Sequence, residues 1–172
     1  MSGRFIHTTF SAVENKYPKD MFGMDTPADA VAKDIGGQVK ELFEKNNYSN
    51  ACALRLSKAL NYAGISIPHI PNVTFEGDDK KYYFLAAEKM LHWMESRFGK
   101  PDIIIKGSSE GEKLKGNKGL YFMLPLTPNG FGASGHATIY DGSTCPGGDI
   151  HCYYNNPAIS GGVYRVYLWK MN

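Results

Sequence analysis

Cysteine is scarce in this 172-residue chain; the three present are too few for a disulfide-stapled scaffold, and the odd count leaves one thiol unpaired. Long apolar runs are absent. Segments such as Asp102-Ile-Ile-Ile-Lys106 fall far short of the roughly 18 residues a membrane span needs, so a soluble protein without membrane insertion is expected. Neither sign of charge dominates, since 19 Lys and Arg against 17 Asp and Glu leave a net +2. The near balance argues against charge-driven disorder, and the scattered basic residues argue against a nucleic-acid footprint. Repeats, heptads and low-complexity tracts are missing too. The opening stretch, Met1 to Phe10, has no hydrophobic segment of about 7–15 residues, so it does not read as a secretory signal and export would need another route. What remains is the 42% apolar, 13% aromatic composition of one globular domain spanning residues 1–172.

The first half of the chain is patterned for helices. Thr26-Pro27-Ala28-Asp29 resembles a helix start, with a capping Thr, Pro at the first helical position and an acid near the positive dipole end. Val31, Ile35, Val39 and Leu42 then form one stripe, weakened or bent by Gly36-Gly37. A second helix is expected from Asn50-Ala51-Cys52 to Ala63, with Gly64 as its terminator. Phe84, Ala87, Leu91, Met94 and Phe98 mark a third, capped by Asp78 or Asp79 and stopped by Gly99 and Pro101. From Asp102 onward, the runs 103–105, 120–126, 136–140 and 163–169 are β-branched or aromatic and read as strands. The polar, glycine-rich segment 106–119 belongs on the surface as a loop or short helix. Helices first and strands afterward predict an α+β domain with an antiparallel sheet.

Cys52 stands at the expected amino terminus of the second helix, where unsatisfied N–H groups and the helix dipole favour a thiolate. Position alone favours a small buried side chain, and a partner base would reverse that reading. Of the five histidines, His136 stands out: it follows Gly135, which permits close backbone approach, and it opens a strand that would hold the imidazole in place. His7, His69, His92 and His151 read as surface or structural residues. A thiolate–imidazole pair needs a third polar group to orient the ring, and the order helix-start Cys, strand His, then an acid is the papain-like order. Asp149 is preferred for that acid because the chain returns after a turn. Asp141, at the far end of the same strand, is the fallback.

In an oxidising compartment the three thiols would give one disulfide and one free cysteine. A zinc site from Cys52, His136, Cys145, His151 and Cys152 is disfavoured because no compact C-x-x-C pair is present and His151-Cys152 are adjacent. A Cys145–Cys152 bridge would instead tether the loop carrying Asp149. Arg55, one turn beyond Cys52, reads first as half of a structural ion pair, with binding of a substrate carboxylate as the lesser alternative.

Residues 50–64 (Asn-Ala-Cys-Ala-Leu-Arg-Leu-Ser-Lys-Ala-Leu-Asn-Tyr-Ala-Gly), Ile67-Pro68 and residues 135–142 (Gly-His-Ala-Thr-Ile-Tyr-Asp-Gly) together resemble the fourth family of type VI secretion amidase effectors. The resemblance implies a papain-like, NlpC-like fold and hydrolysis of the bond between γ-D-glutamate and meso-diaminopimelate in peptidoglycan stem peptides. It implies synthesis in the bacterial cytoplasm, delivery by type VI secretion machinery into the periplasm of rival cells, and a small immunity protein as partner. By the same resemblance, Cys52 corresponds to the nucleophile, His136 to the base and Asp149 to the orienting acid, and the cysteine pair near the acid corresponds to a disulfide. No cofactor or metal is implied. The segment between Cys145 and Cys152 is longer than the family pattern, which loosens the alignment of Asp149. Two other readings stand beside this one: a papain-like thiol acyltransferase or peptidase on another peptide, and a non-catalytic binding module in which Cys52 is merely buried.

Overall fold

The computed structural model describes residues 6–154 and 161–172, so the first five residues of the amino-terminal segment fall outside it. A short helix not marked by the apolar pattern comes first: α1 (Phe10–Lys16), capped by the Thr9 hydroxyl, which accepts from the Ala12 N–H at 3.2 Å. The stripe after Thr26 forms two helices, α2 (Ala28–Ile35) and α3 (Gly37–Lys45), rather than one bent helix. Gly36 separates them in the left-handed region at φ 68°, and a Cβ there would collide with the Asp78 side chain. The break shifts the buried stripe, which continues through Val39 and Phe43 while Leu42 is only half-buried. Pro27 caps α2 without a side-chain bond, and the Thr26 carbonyl is engaged by Arg55 instead.

The second expected helix is α4 (Cys52–Tyr62). It is buried on nearly every side, as befits a helix at the centre of a domain. An antiparallel pair follows, β1 (Thr74–Glu76) and β2 (Tyr82–Phe84), which the sequence pattern did not mark. Phe84 therefore belongs to a strand, and the third helix, α5 (Ala87–Phe98), begins after it. Asp79 does not cap that helix, because its carboxylate accepts from the Tyr62 and Tyr83 hydroxyls at 2.7 and 2.6 Å. Gly99 ends α5 as expected.

The four expected strands are β3 (Ile103–Ile105), β4 (Lys118–Pro125), β5 (His136–Asp141) and β6 (Val163–Lys170). They form one sheet in the order β3-β6-β4-β5, antiparallel throughout. The architecture is α+β. The loop between β3 and β4 holds a 3-10 turn, Ser108–Lys113, and then drops Leu114 into the core.

Alternation along β4 gives the sheet two covered faces. Leu120 and Phe122, with Ala137, Ile139 and Trp169, pack against α1, α4 and α5. Tyr121 and Met123, with Tyr140 and Leu168, pack against Leu114 and the Cys145 and Cys152 side chains. A third cluster joins α2 and α3 to Leu54 and Tyr83. Leu56, Leu60, Phe84 and Phe122 are fully buried, each contributing about 1.5–3 kcal/mol of apolar transfer energy. Sliding α4 along the sheet would forfeit several of these terms, so its first turn holds a fixed position beside β5.

Candidate active site

Cys52 is the first residue of α4 and His136 the first of β5, two elements packed directly on each other. Both side chains are buried, at 3% and 5% exposure. The Cys52 thiol donates to the Gly135 carbonyl at 3.7 Å, next in sequence to His136. Gly135 is required there: a Cβ would lie 2.6 Å from the Phe122 ring and 3.0 Å from the Met123 carbonyl. Two adjoining cavities open at this point. Cys52 lines one of about 290 Å³ with Tyr48, Leu85 and Ser134, and His136 lines a larger one of about 510 Å³ with Asp25, Arg55 and Tyr153. Ser49, Asn50 and Gly132 border both, so the cavity that Cys52 lines and the cavity that His136 lines share a rim.

Burial sets the electrostatics. It pushes the Cys52 thiol up, against the lowering influence of the Ala137 backbone and of Arg55. It pushes the His136 imidazole down to about 3, helped by Arg55 and His151, while a hydrogen bond to the His151 backbone opposes the shift. Both shifts favour the uncharged form of each group at neutral pH. A neutral imidazole held by a backbone acceptor on one nitrogen keeps the other free to accept a proton.

The group meeting His136 is thus a backbone atom of His151. Asp149 starts the 3-10 turn Asp149–Cys152, and its exposed carboxylate acts on Tyr140, Tyr154 and Lys115. Among the described residues, no hydrogen bond joins Asp149 to His136. Asp141 is committed elsewhere, since its Oδ1 accepts from the Ser143 N–H at 2.8 Å, the Ser143 hydroxyl and the Thr144 N–H. Cys145 and Cys152 form a disulfide, closing the loop that delivers His151. That bond occupies two of the five ligands a zinc site would have used. Tyr153, in the left-handed region at φ 65°, stacks edge-on against the His136 ring with centroids 4.7 Å apart.

Other participants complete the surroundings, among them Arg55, whose ion-pair reading from the sequence holds. Asn50 Oδ1 accepts from the Cys52 N–H at 2.9 Å, so the helix-start donor is already occupied. Arg55 donates from Nε to the Thr26 carbonyl at 2.9 Å and places Nη1 3.4 Å from Asp25 Oδ2. The Tyr17 hydroxyl accepts from Thr138 at 3.0 Å. Asp25 and Tyr17 come from the irregular opening, where no periodicity singles out any residue.

The family model described as type VI secretion system (T6SS), amidase effector protein 4 (Tae4) matches residues 48–169. Among solved structures, the type VI effector Tae4 from Enterobacter cloacae is similar at 24% identity, covering 98% of this chain and 99% of that one, with a TM-score of 0.80. The Tae4/Tai4 effector–immunity system from Salmonella typhimurium is similar at 25% identity over 96% of this chain and 99% of that one, with a TM-score of 0.78. An effector–immunity complex from Enterobacter cloacae gives 24% identity, 97% and 100% coverage and a TM-score of 0.76. No match was found among curated proteins.

Proposed function

The chain belongs to the type VI secretion system amidase effector 4 family, and from that premise we propose that it is an antibacterial cysteine amidase that cleaves the γ-D-glutamyl–meso-diaminopimelate bond of peptidoglycan stem peptides. The observation that supports the cysteine mechanism is that a helix-start thiol, Cys52, and a strand-start imidazole, His136, lie on directly packed elements and line two cavities with a shared rim. A thiol at a helix start and an imidazole at the start of an antiparallel strand are what a papain-like, NlpC-like fold would supply.

In the proposed reaction, Cys52 Sγ attacks the γ-carbonyl as neutral His136 takes its proton. Since both shifts favour the uncharged forms, proton transfer accompanies attack instead of preceding it. The carbonyl oxygen takes over the Cys52 N–H from Asn50 Oδ1, and loss of such a donor typically costs about 10²–10³ in turnover. Collapse breaks the C–N bond, and His136 returns the proton to the leaving diaminopimelate amine. Water, deprotonated by the same imidazole, then attacks the acyl-enzyme, releasing the glutamyl carboxylate and the free thiol. The His151 backbone holds the ring and its tautomer throughout. Asp149 acts one step back, as the residue that starts the turn presenting His151.

The physiological setting follows from the same premise. Type VI machinery would deliver the protein to the periplasm of target cells, where the Cys145–Cys152 disulfide persists, and a cognate immunity protein would cover the cleft in protected cells. The test is mass spectrometry of muropeptides after incubating meso-diaminopimelate-type sacculi with the native protein and with folded Cys52→Ala. Cleavage between D-glutamate and diaminopimelate by the native chain alone is expected. Cleavage by both would remove Cys52 from the chemistry, and cleavage by neither would return the acyltransferase and binding-module readings to first place.

A further inference from the structure

Tyr153 lines the same cavity as His136 and takes no part in the proposed bond cleavage. Its backbone lies in the left-handed region, at φ 65° and ψ −14°, a conformation uncommon for a bulky side chain. Among the described residues, the other non-glycine positions at positive φ are Asn47, Asn72 and Lys80, and asparagine is one of the few residues that visits this region readily. The residue before Tyr153 is anchored twice: Cys152 is held by the disulfide, and its carbonyl accepts from the Tyr121 hydroxyl at 2.8 Å. The chain turns back from that fixed point. The Tyr153 ring meets the His136 ring with centroids 4.7 Å apart and planes at 78°, the edge-on geometry that aromatic rings prefer. Phe131, at the end of the short helical turn Pro128–Phe131, packs against the same tyrosine at 5.1 Å and 74°. The tyrosine ring is thus braced at its base by the disulfide loop and along its side by Phe131.

A histidine ring needs such a contact to hold one tilt. Its outer torsion has broad minima, so the single hydrogen bond to the His151 backbone leaves the imidazole able to swing about that bond. A second contact from another direction removes the remaining freedom. Resting on the function proposed above, we propose that Tyr153 is a positioning residue: its ring holds the His136 imidazole at the tilt from which the free nitrogen takes the Cys52 proton and returns it to the leaving amine. The backbone acceptor of residue 151 and the ring of residue 153 belong to one turn, so one anchored segment sets both the tautomer and the tilt. Strain of this kind persists only where the surrounding structure over-determines it, and it clusters at active sites. Glycine at position 153 would adopt the same backbone freely but would bring no ring to the imidazole.

The test compares Tyr153→Phe, Tyr153→Ala and Tyr153→Gly in the full chain with its disulfide intact. Turnover of the tripeptide L-Ala-γ-D-Glu-meso-diaminopimelate is measured per folded molecule. Thermal midpoints and carbon-13 spectra of labelled histidine are recorded alongside, with the His136 signal assigned by its loss in His136→Gln. Tyr153→Phe keeps the ring and should keep the native kcat. Both ring-free variants should lose about 10- to 100-fold in kcat with KM little changed, the effect of a slightly misplaced reacting group. In the native chain and Tyr153→Phe, the His136 signal should stay constant from pH 7 to pH 4. In the ring-free variants it should titrate within that range, because water reaches the imidazole while Arg55 and His151 stay in place. Native kcat in the ring-free variants would overturn the proposal whatever their thermal midpoints, as would a change confined to KM or a lower kcat with the His136 signal unmoved. A loss in Tyr153→Phe equal to that in Tyr153→Ala would also overturn it, by giving the role to the hydroxyl. If Tyr153→Ala does not fold, Tyr153→Gly, which removes the backbone strain, decides the question. If the native chain leaves the tripeptide uncut, the bond assignment alone falls, and the histidine spectra decide this inference.

Discussion

At neutral pH burial favours the uncharged forms of both Cys52 and His136, because it raises the thiol and lowers the imidazole to about 3. The sign of the resulting stability effect is fixed by linkage. Between the ordinary histidine value of 6.5 and about 3, the unfolded chain binds a proton at residue 136 that the folded chain refuses, so this contribution to stability is lost as the pH falls through that window. Urea midpoints measured from pH 7 to pH 4 should fall, and His136→Gln should flatten part of that slope while lowering turnover at least 10²-fold. A slope unchanged by the substitution would show that His136 titrates normally. Asn50 supplies a second residue-scale expectation. Its amide oxygen occupies the donor that the developing oxyanion needs, so Asn50→Asp would set a fixed negative charge against the transition state. Turnover should drop about 10²-fold with KM little changed, which steady-state kinetics on a stem peptide would show; a change confined to KM would place Asn50 in binding instead.

Elements fail where their breaks are disturbed. Gly36 holds the left-handed junction of α2 and α3, and Gly36→Ala adds both backbone strain and a collision with Asp78. A loss of about 1–3 kcal/mol is expected, or roughly 2–4 °C of Tm per kcal/mol for a chain of this size, read by calorimetry. Since Gly36 lines neither cavity, kcat at 25 °C should hold. The disulfide loop differs, because seven residues on from Cys145 the chain closes under the strand that bears His136. Replacing both Cys145 and Cys152 by Ser should cost about 2–3 kcal/mol by loop entropy. It should also lower kcat, since the backbone contact from His151 to the imidazole is no longer held in place. Lost stability with unchanged kcat would mean that the turn positions His151 without the bridge.

Over the whole molecule, the two cavities meet where α4, β5, the segment before α2 and the disulfide loop converge, so a single partner seated there would block substrate and thiol together. Alkylation of Cys52 by iodoacetamide reads this directly. With the thiol raised by burial, the rate should be slow at pH 7 and climb beyond the ordinary thiol range of about 8.5. A bound cognate immunity protein should suppress it. Rapid alkylation at pH 7 would mean that the thiolate is already formed at rest, and alkylation unaffected by the immunity protein would put that partner's contact elsewhere on the surface.

The sequence by itself determined the elements whose apolar period is long or whose terminators are strong: α4 from Asn50 to Gly64, the body of α5 up to Gly99, the four strands after Asp102, and hence the α+β class with its antiparallel sheet. It also singled out Cys52 and His136, because a helix start and a glycine-led strand are local signals. Other features emerged only from the tertiary structure. Helix α1 and the β1–β2 pair are too short for periodicity to mark, and the split at Gly36 depends on how Asp78 packs against it. The contact to His136 comes from the His151 backbone, and every residue type carries the same backbone groups, so no side-chain motif could announce it. Asp25 reaches Arg55 from an irregular segment 30 positions earlier, and Asn50 caps the very donor that Cys52 would offer. Partnerships of this kind depend on distances that only folding creates, whereas the helix, the strand and the two reactive side chains follow from the chemistry of neighbouring residues.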